Sequence, residues 1–427
     1  MKLRMKVLTT LFYLGLLISL RAADTNLPHW NLAALSKPPV TIETRVANVA
    51  GLQSFFIEGL PYKGKPTKFY AYLGFPTNVT GKVPAVVLVH GGGGTALADW
   101  VKYWTAKGYA AISMDTEGQV PIQTTDAKPH WQTIDSLYLS WNGGPQRGAP
   151  MADPNLPMAD QWLYQAVANS ILSVSVLAAR PEVDSSRIGI VGISWGSVIC
   201  SLVGGIDERL AFVVPQYIGG NLNLGNVWHD FMKANPVTFN WDPANFYTNT
   251  INKAQWLWID GANDTYGLPP MITASWRGTG SNSWMTLSPT LGHGHIFGET
   301  GNDSVREIYA FVDSVTKGTP PLARIQKTTL NENRVTLTWT AAVPVTSAKL
   351  IFTANPIPVV EIAGEQRKDW KNVHYEVKDM ALPTITNLSD MRKQATFQLP
   401  VGMQAGYINL IDARGLAVSC DFMQTQL

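Results

Sequence analysis

Cysteine is almost missing from this 427-residue chain, which carries only Cys200 and Cys420. That excludes the disulfide framework by which small exported domains are stapled. The two positions fall in regions of different character, so both are expected to be free, buried thiols, and a chain this long buries enough core to do without staples. Charge is scarce as well: 33 Lys and Arg stand against 31 Asp and Glu, for a formal net charge of +2. With no basic run after the first residues, nucleic acid is a poor fit as the main partner. Long apolar runs are confined to Val7–Leu20 (VLTTLFYLGLLISL), preceded by MKLRMK and followed by Arg21-Ala22-Ala23. The run is short for a bilayer span and has the layout of a secretory signal, here residues 1–23. The chain is therefore expected to be secreted or periplasmic, without stable membrane insertion once the signal is cleaved. An uncleaved anchor is the alternative, because Leu20 and Arg21 stand where small residues are preferred.

What is present is ordinary globular composition, 45% hydrophobic, with 15 tryptophans. After a leader (24–40), Thr41–Glu58 and Lys68–Phe75 alternate as antiparallel strands do. From Val83 on, strand and helix patterns take turns: strands at Val83–His90, Tyr109–Asp115, Ile188–Gly192, Ala211–Gln216, Gln255–Asp260 and Trp284–Ser288, helices at Leu97–Lys107, Asp160–Arg180, Ser197–Gly204 and Asp303–Thr316. Such alternation predicts an α/β domain with a mostly parallel sheet flanked by helices over residues 41–318. Two excursions break the rhythm, Thr116–Ala159 and Gly219–Thr250. Long insertions in a compact domain serve as lids or binding loops, so Trp131, Trp141, Trp228 and Trp241 are candidate substrate-binding rings, with ordinary packing as the competing reading. From "KGTPPLAR" onward the pattern changes to short strands at Arg334–Trp339, Lys349–Phe352, His374–Val377, Ala395–Leu399 and Tyr407–Asp412. Residues 319–427 are expected to form a small immunoglobulin-like β-sandwich.

The chemistry centres on "RIGIVGISWGSVIC". Gly192-Ile193-Ser194-Trp195-Gly196 joins an apolar strand to a helix, the G-x-S-x-G pattern that holds a serine oxygen exposed on a strained turn. A nucleophilic serine needs a base, an orienting acid and donors for the developing oxyanion. His90-Gly91-Gly92-Gly93-Gly94 follows a buried strand, so backbone N–H groups at Gly91 and Gly92, together with that of Trp195, are the candidate oxyanion hole. His90 is expected to orient this loop. Asp264, in Gly261-Ala262-Asn263-Asp264 just past a strand, is the candidate acid, with Asp260 as its rival. His293, in "LGHGH" after the last strand, is the candidate base, with His295 as the alternative. The chain order nucleophile, acid, base is that of one family of serine hydrolase folds.

These motifs resemble the α/β-hydrolase superfamily, in particular its dienelactone hydrolase and acetyl xylan esterase-like branch. The lead-in "FIEGLPYKGKPTKFYAYLGFPTN" is similar to exported members of that branch, and the resemblance spans about Thr41–Gly318. It implies hydrolysis of carboxylic esters, often acetyl groups on plant polysaccharide, with no metal or organic cofactor and a small-molecule or polysaccharide ester as partner. Ser197 departs from the pattern, since many relatives carry a second glycine there. Two other readings stay open: a serine peptidase of the prolyl oligopeptidase type, disfavoured because no propeller precedes the domain, and a non-catalytic glycan-binding protein on a hydrolase scaffold, disfavoured by the intact Ser, Asp and His.

Overall fold

The computed structural model describes residues 27–121, 136–138, 143–148, 151, 153–247, 253–294 and 305–424. The expected signal peptide, Trp131, Trp141 and His295 lie outside the described residues.

Apolar segments bounded by turn residues give nine strands of one central sheet: β1 (Thr41–Glu43), β2 (Gln53–Glu58), β3 (Lys68–Gly74), β4 (Val83–Val89), β5 (Ala110–Met114), β6 (Val183–Ile193), β7 (Phe212–Gln216), β8 (Gln255–Gly261) and β9 (Ser283–Ser288). Their spatial order is β1-β2-β3-β5-β4-β6-β7-β8-β9. The first three strands join antiparallel, and β3 pairs antiparallel with β5. From β5 across to β9 every pairing is parallel. In β4 all 7 residues are buried, as a parallel strand covered on both faces requires.

The flanking helices are α1 (Ala98–Ala106), α2 (Trp162–Ala178), α3 (Trp195–Ile206), α4 (Asn226–Ala234), α5 (Pro269–Gly278) and α6 (Arg306–Lys317). α5 begins on Pro269-Pro270, where a missing N–H is harmless, and α6 ends on Gly318 in the left-handed region at φ 71°. The loops after β4, β6, β8 and β9 all leave the carboxyl edge of the sheet, the edge at which doubly wound sheets gather their ligands.

One expectation needs refinement. The excursion Gly219–Thr250 carries α4, with Trp228 and Met232 buried and Phe231 partly so. Positions 228, 231 and 232 make one helical face, but a face that short is hard to see in a polar, aromatic-rich stretch.

Past the Gly318 cap the chain builds two antiparallel sheets. One comprises Arg324–Asn331, Arg334–Thr340, Lys393–Gln398 and Thr386–Asn387; the other comprises Glu376–Met380, Val345–Thr353, Ala405–Asp412, Ala417–Ser419 and Met423–Gln424. Trp339, Leu350 and Tyr407 are fully buried within this domain. A separate hairpin, Val359–Ile362 with Glu365–Lys368, projects from it.

The sandwich is tied to the sheet. β9 is the last strand, and an unpaired strand edge offers N–H and C=O groups to any other strand. Here the Leu287 N–H donates to Ser419 Oγ at 2.7 Å, and Asn409 Nδ2 donates to the Leu287 carbonyl at 3.0 Å. Thr286 Oγ1 adds a bond to the Ala417 carbonyl at 2.7 Å.

Both cysteines are free and buried, Cys200 behind the β6–α3 turn and Cys420 in the sandwich. Burial pushes the Cys420 thiol up to about 12 and the Cys200 thiol higher still, which removes the reactive thiolate at neutral pH. Iodoacetamide should therefore leave the native protein unmodified and add to both cysteines after unfolding, counted by intact-mass spectrometry.

Candidate active site

The β6–α3 connection is shaped by contacts that leave no room for side chains. A Cβ on Gly192 would lie 2.0 Å from the Gly196 carbonyl oxygen, and one on Gly196 would lie 2.1 Å from that of Val89. Only glycine permits such an approach. Ser194 between them adopts φ 57°, ψ −119°, a strained conformation for a residue with a Cβ. Its N–H is held by the Gln216 carbonyl at 3.0 Å. Ser197, where many relatives have glycine, is accommodated because its Oγ donates to the Ile218 carbonyl at 2.7 Å.

Ser194 Oγ lies 2.9 Å from His293 Nε2, and His293 Nδ1 lies 2.8 Å from Asp264 Oδ2. The other Asp264 oxygen accepts the N–H groups of Tyr266 at 2.6 Å and Gly267 at 3.0 Å. A carboxylate fixed on three sides holds one imidazole orientation, with the hydrogen on Nδ1 and the lone pair of Nε2 toward the serine. Two rings also confine His293: Tyr217, with centroids 5.4 Å apart, and Tyr266 at 4.6 Å.

Asp260, the rival acid, is fully buried next to the Asp264 carboxylate, and no hydrogen bond joins it to His293. Its Oδ1 accepts the Gly261 N–H at 2.7 Å, and its side chain meets that of Asp264. Burial, and next the charge of Asp264, raise its carboxyl well above the ordinary range, so it stands as a neutral acid beside the Asp264–His293 pair.

The glycine loop after β4 is set by buried polar groups. His90 Nε2 accepts the Thr116 N–H at 3.0 Å, which leaves the hydrogen on Nδ1, directed at the Gly91 carbonyl 2.7 Å away. Burial lowers the imidazole's proton affinity and keeps it neutral. A trans peptide points its N–H opposite to its C=O, so drawing the Gly91 carbonyl toward His90 aims the Gly92 N–H away from it. Farther along, buried Glu117 accepts the Gly93 N–H and the Arg147 Nε–H, each at 2.8 Å. A Cβ on Gly92 would lie 2.7 Å from Trp195 Cδ1 and 2.8 Å from Arg147 Cζ. The Trp195 N–H, in the first turn of α3, has no acceptor within that helix.

The two described candidate rings are not open platforms. Trp241 is 2% exposed, donates Nε1–H to Gln161 Oε1 at 2.7 Å and meets Trp30 edge-on, so it is a packing residue. Trp228 is 4% exposed and meets Trp195 edge-on at 5.1 Å, so it backs the elbow instead of facing solvent. Residues that the motifs did not single out do border the site: Tyr217 directly after β7, Tyr266 two residues past Asp264, and the Glu117–Arg147 pair. For Tyr217 the position just past a strand's carboxyl end was an available signal. Among the described residues no cluster of His, Cys, Asp and Glu could hold a metal ion.

A serine on a β6–α3 elbow, an acid after β8 and a histidine after β9, gathered at the carboxyl edge of this sheet, define the α/β-hydrolase fold. Residues 59–218 match the acetyl xylan esterase family model, and the enzyme class is that of a serine carboxylic-ester hydrolase. Among solved structures, the acetyl xylan esterase from Paenibacillus sp. R4 is similar at 20% identity over 67% of this chain and 92% of its own, with a TM-score of 0.49. The acetyl xylan esterase 1 from Thermoanaerobacterium sp. JW/SL YS485 follows at 17% identity over 64% and 92%, TM-score 0.44. The acylaminoacyl peptidase of Pyrococcus horikoshii shares 15% identity over 64% of this chain and 43% of its own, TM-score 0.47. At such identities the likeness concerns the fold. No curated protein sequence matches the chain.

The two aspartates should separate cleanly. Asp264→Asn is expected to lower kcat by about four orders of magnitude, as loss of the orienting carboxylate does in such relays, whereas Asp260→Asn should leave turnover near wild type. Because folded Asp260 keeps a proton that the unfolded chain releases, stability declines as pH rises above the ordinary carboxylate range, by about 1.4 kcal/mol per pH unit until the raised value is passed. Asp260→Asn should lessen the measured slope by that one proton's share, read from urea titrations at several pH values, while buried Asp115, pushed up to about 8, keeps its own. For the loop, His90→Leu frees the Gly91–Gly92 peptide and should lower kcat about a hundredfold with little change in KM, the size of losing one oxyanion donor.

Proposed function

We propose that the protein is an exported carbohydrate esterase that removes acetyl groups through Ser194, His293 and Asp264. The observation that carries this reading is the unbroken line from Ser194 Oγ to His293 Nε2 and from His293 Nδ1 to Asp264 Oδ2, at 2.9 and 2.8 Å, with the serine on a strained turn. The acetyl xylan esterase family match over residues 59–218 supports the acyl group and the carbohydrate alcohol, and the basic-then-apolar start of the chain supports export.

In this mechanism Ser194 Oγ attacks the ester carbonyl carbon as His293 Nε2 takes the hydroxyl proton, and the carbonyl oxygen becomes an oxyanion. The N–H groups of Trp195 and the Gly91–Gly92 loop donate to it. Asp264 stabilises the imidazolium without taking its proton. The tetrahedral intermediate collapses by breaking the bond to the sugar oxygen, to which His293 returns the proton, leaving an acetyl-serine. Water then loses a proton to His293 and attacks the acetyl-serine, and collapse breaks the bond from the acetyl carbon to Ser194 Oγ, which takes the proton back from His293 Nε2 as acetate leaves. Tyr217 and Tyr266 restrict the imidazole to the orientation both steps need.

A panel of acetylated xylan, p-nitrophenyl acetate and butyrate, and a prolyl dipeptide amide tests the assignment. The expected order is acetyl esters over butyryl, with Ser194→Ala reducing every rate to background. Faster turnover of the amide than of the acetyl esters would move the protein to the peptidases.

A further inference from the structure

The hairpin that projects from the sandwich ends on α4. Arg367 donates from Nη2 to the Asn223 carbonyl at 2.8 Å and from Nη1 to His229 Nδ1 at 2.9 Å. His229 Nδ1 also lies 3.2 Å from the Asn223 carbonyl, and its Nε2 lies 3.5 Å from Arg367 Nη1 and 3.2 Å from Glu365 Oε2, so the imidazole is held between the guanidinium and the carboxylate. Lys233, one turn farther along α4, donates to Glu365 Oε1 at 2.8 Å and to the Ala363 carbonyl, in the hairpin turn, at 2.6 Å. Asn223 precedes α4, and His229 and Lys233 are on it, so the hairpin grips the helix along its length. The grip is sheltered at Arg367 and His229, with side-chain exposures of 19% and 10%, and open at Lys233 and Glu365, at 42% and 48%. Exposed single ion pairs contribute little, but a partly buried network with a forked donor does more.

The N-cap residue of α4 is Gly225, and among the described residues no side chain caps that end; Val227 on the helix is 37% exposed. Its inner side reaches the site, because Trp228 meets Trp195 edge-on at 5.1 Å, and Trp195 meets Trp162 edge-on at 5.2 Å. Trp195 follows Ser194 and touches the Gly92 position. A rigid path therefore runs from Arg367 through α4 and Trp228 to the wall beside the nucleophile.

We infer that the hairpin is a strap from the C-terminal domain that sets α4 against the elbow, with Arg367 as a positioning residue for the part of the cleft that receives the alcohol portion of a large ester. The substrate arm of this inference rests on the esterase reading above; the strap itself does not.

The test uses the full-length chain with Arg367→Met. Amide hydrogen exchange of residues 226–234 should quicken about tenfold while that of α3 is unchanged, since local opening reports local contacts. In parallel, kcat/KM for acetylated xylotriose divided by that for p-nitrophenyl acetate should fall about tenfold, with Arg367→Lys recovering part of the loss and Trp228→Leu absorbing the effect in a double-mutant cycle. Unchanged exchange in α4 would overturn the strap. Equal losses on both esters, or losses that simply multiply with those of Trp228→Leu, would overturn its route to the cleft. A wild-type protein that hydrolyses neither ester would remove the esterase reading and the route to substrate, while exchange would still decide the strap.

Discussion

Everything at the carboxyl edge depends on how closely α3 approaches β4 and β6. With the Gly196 and Val89 carbonyls nearly touching glycine positions, the turn after β6 has almost no freedom, and Ser194 is driven to positive φ. That strain is local and of the order of 1–3 kcal/mol. The buried sheet around it holds it in place: β4 is covered on both faces and β6 runs beside it in parallel register. The nucleophile's position is thus a property of the domain's centre, and the histidine and aspartate reach it from neighbouring strands.

A second theme is the use of buried ionisable groups in one fixed state. His90 is neutral because it is enclosed and must accept the Thr116 N–H. Asp260 is a neutral acid only four residues before the carboxylate that orients His293. Two ionised carboxylates so close would repel in a medium of low dielectric constant, and burial decides which of them yields. Asp264 itself accepts two backbone N–H groups of the turn that follows it and faces His293 Nδ1 with its other oxygen.

Legibility in the sequence follows the range of the interactions. The elbow, the glycine loop, the acid turn and the histidine loop are each written within a few consecutive residues, because turn geometry demands particular residue types at fixed spacing. The alternation of buried strands and helices is equally local, and it led directly to the parallel sheet. What could not be read depends on partners far away in the chain. Trp228 and Trp241 are aromatic residues in a polar excursion, and only their contacts with Trp195 and Trp30 show that they are interior. Glu117 reaches Arg147, and Arg367 reaches Asn223 and His229, across separations that no periodicity records. Tyr217 and Tyr266 became interpretable only when His293 was seen between them.

The edge of β9 has an evolutionary side. Its Leu287 peptide groups are satisfied by the side chains of Ser419 and Asn409, not by another strand's backbone. Side-chain partners can be lost by a single codon change, whereas a paired strand tolerates most substitutions. A lineage that shed the sandwich, or exchanged it for an unrelated module, would uncover a strand edge open to intermolecular pairing.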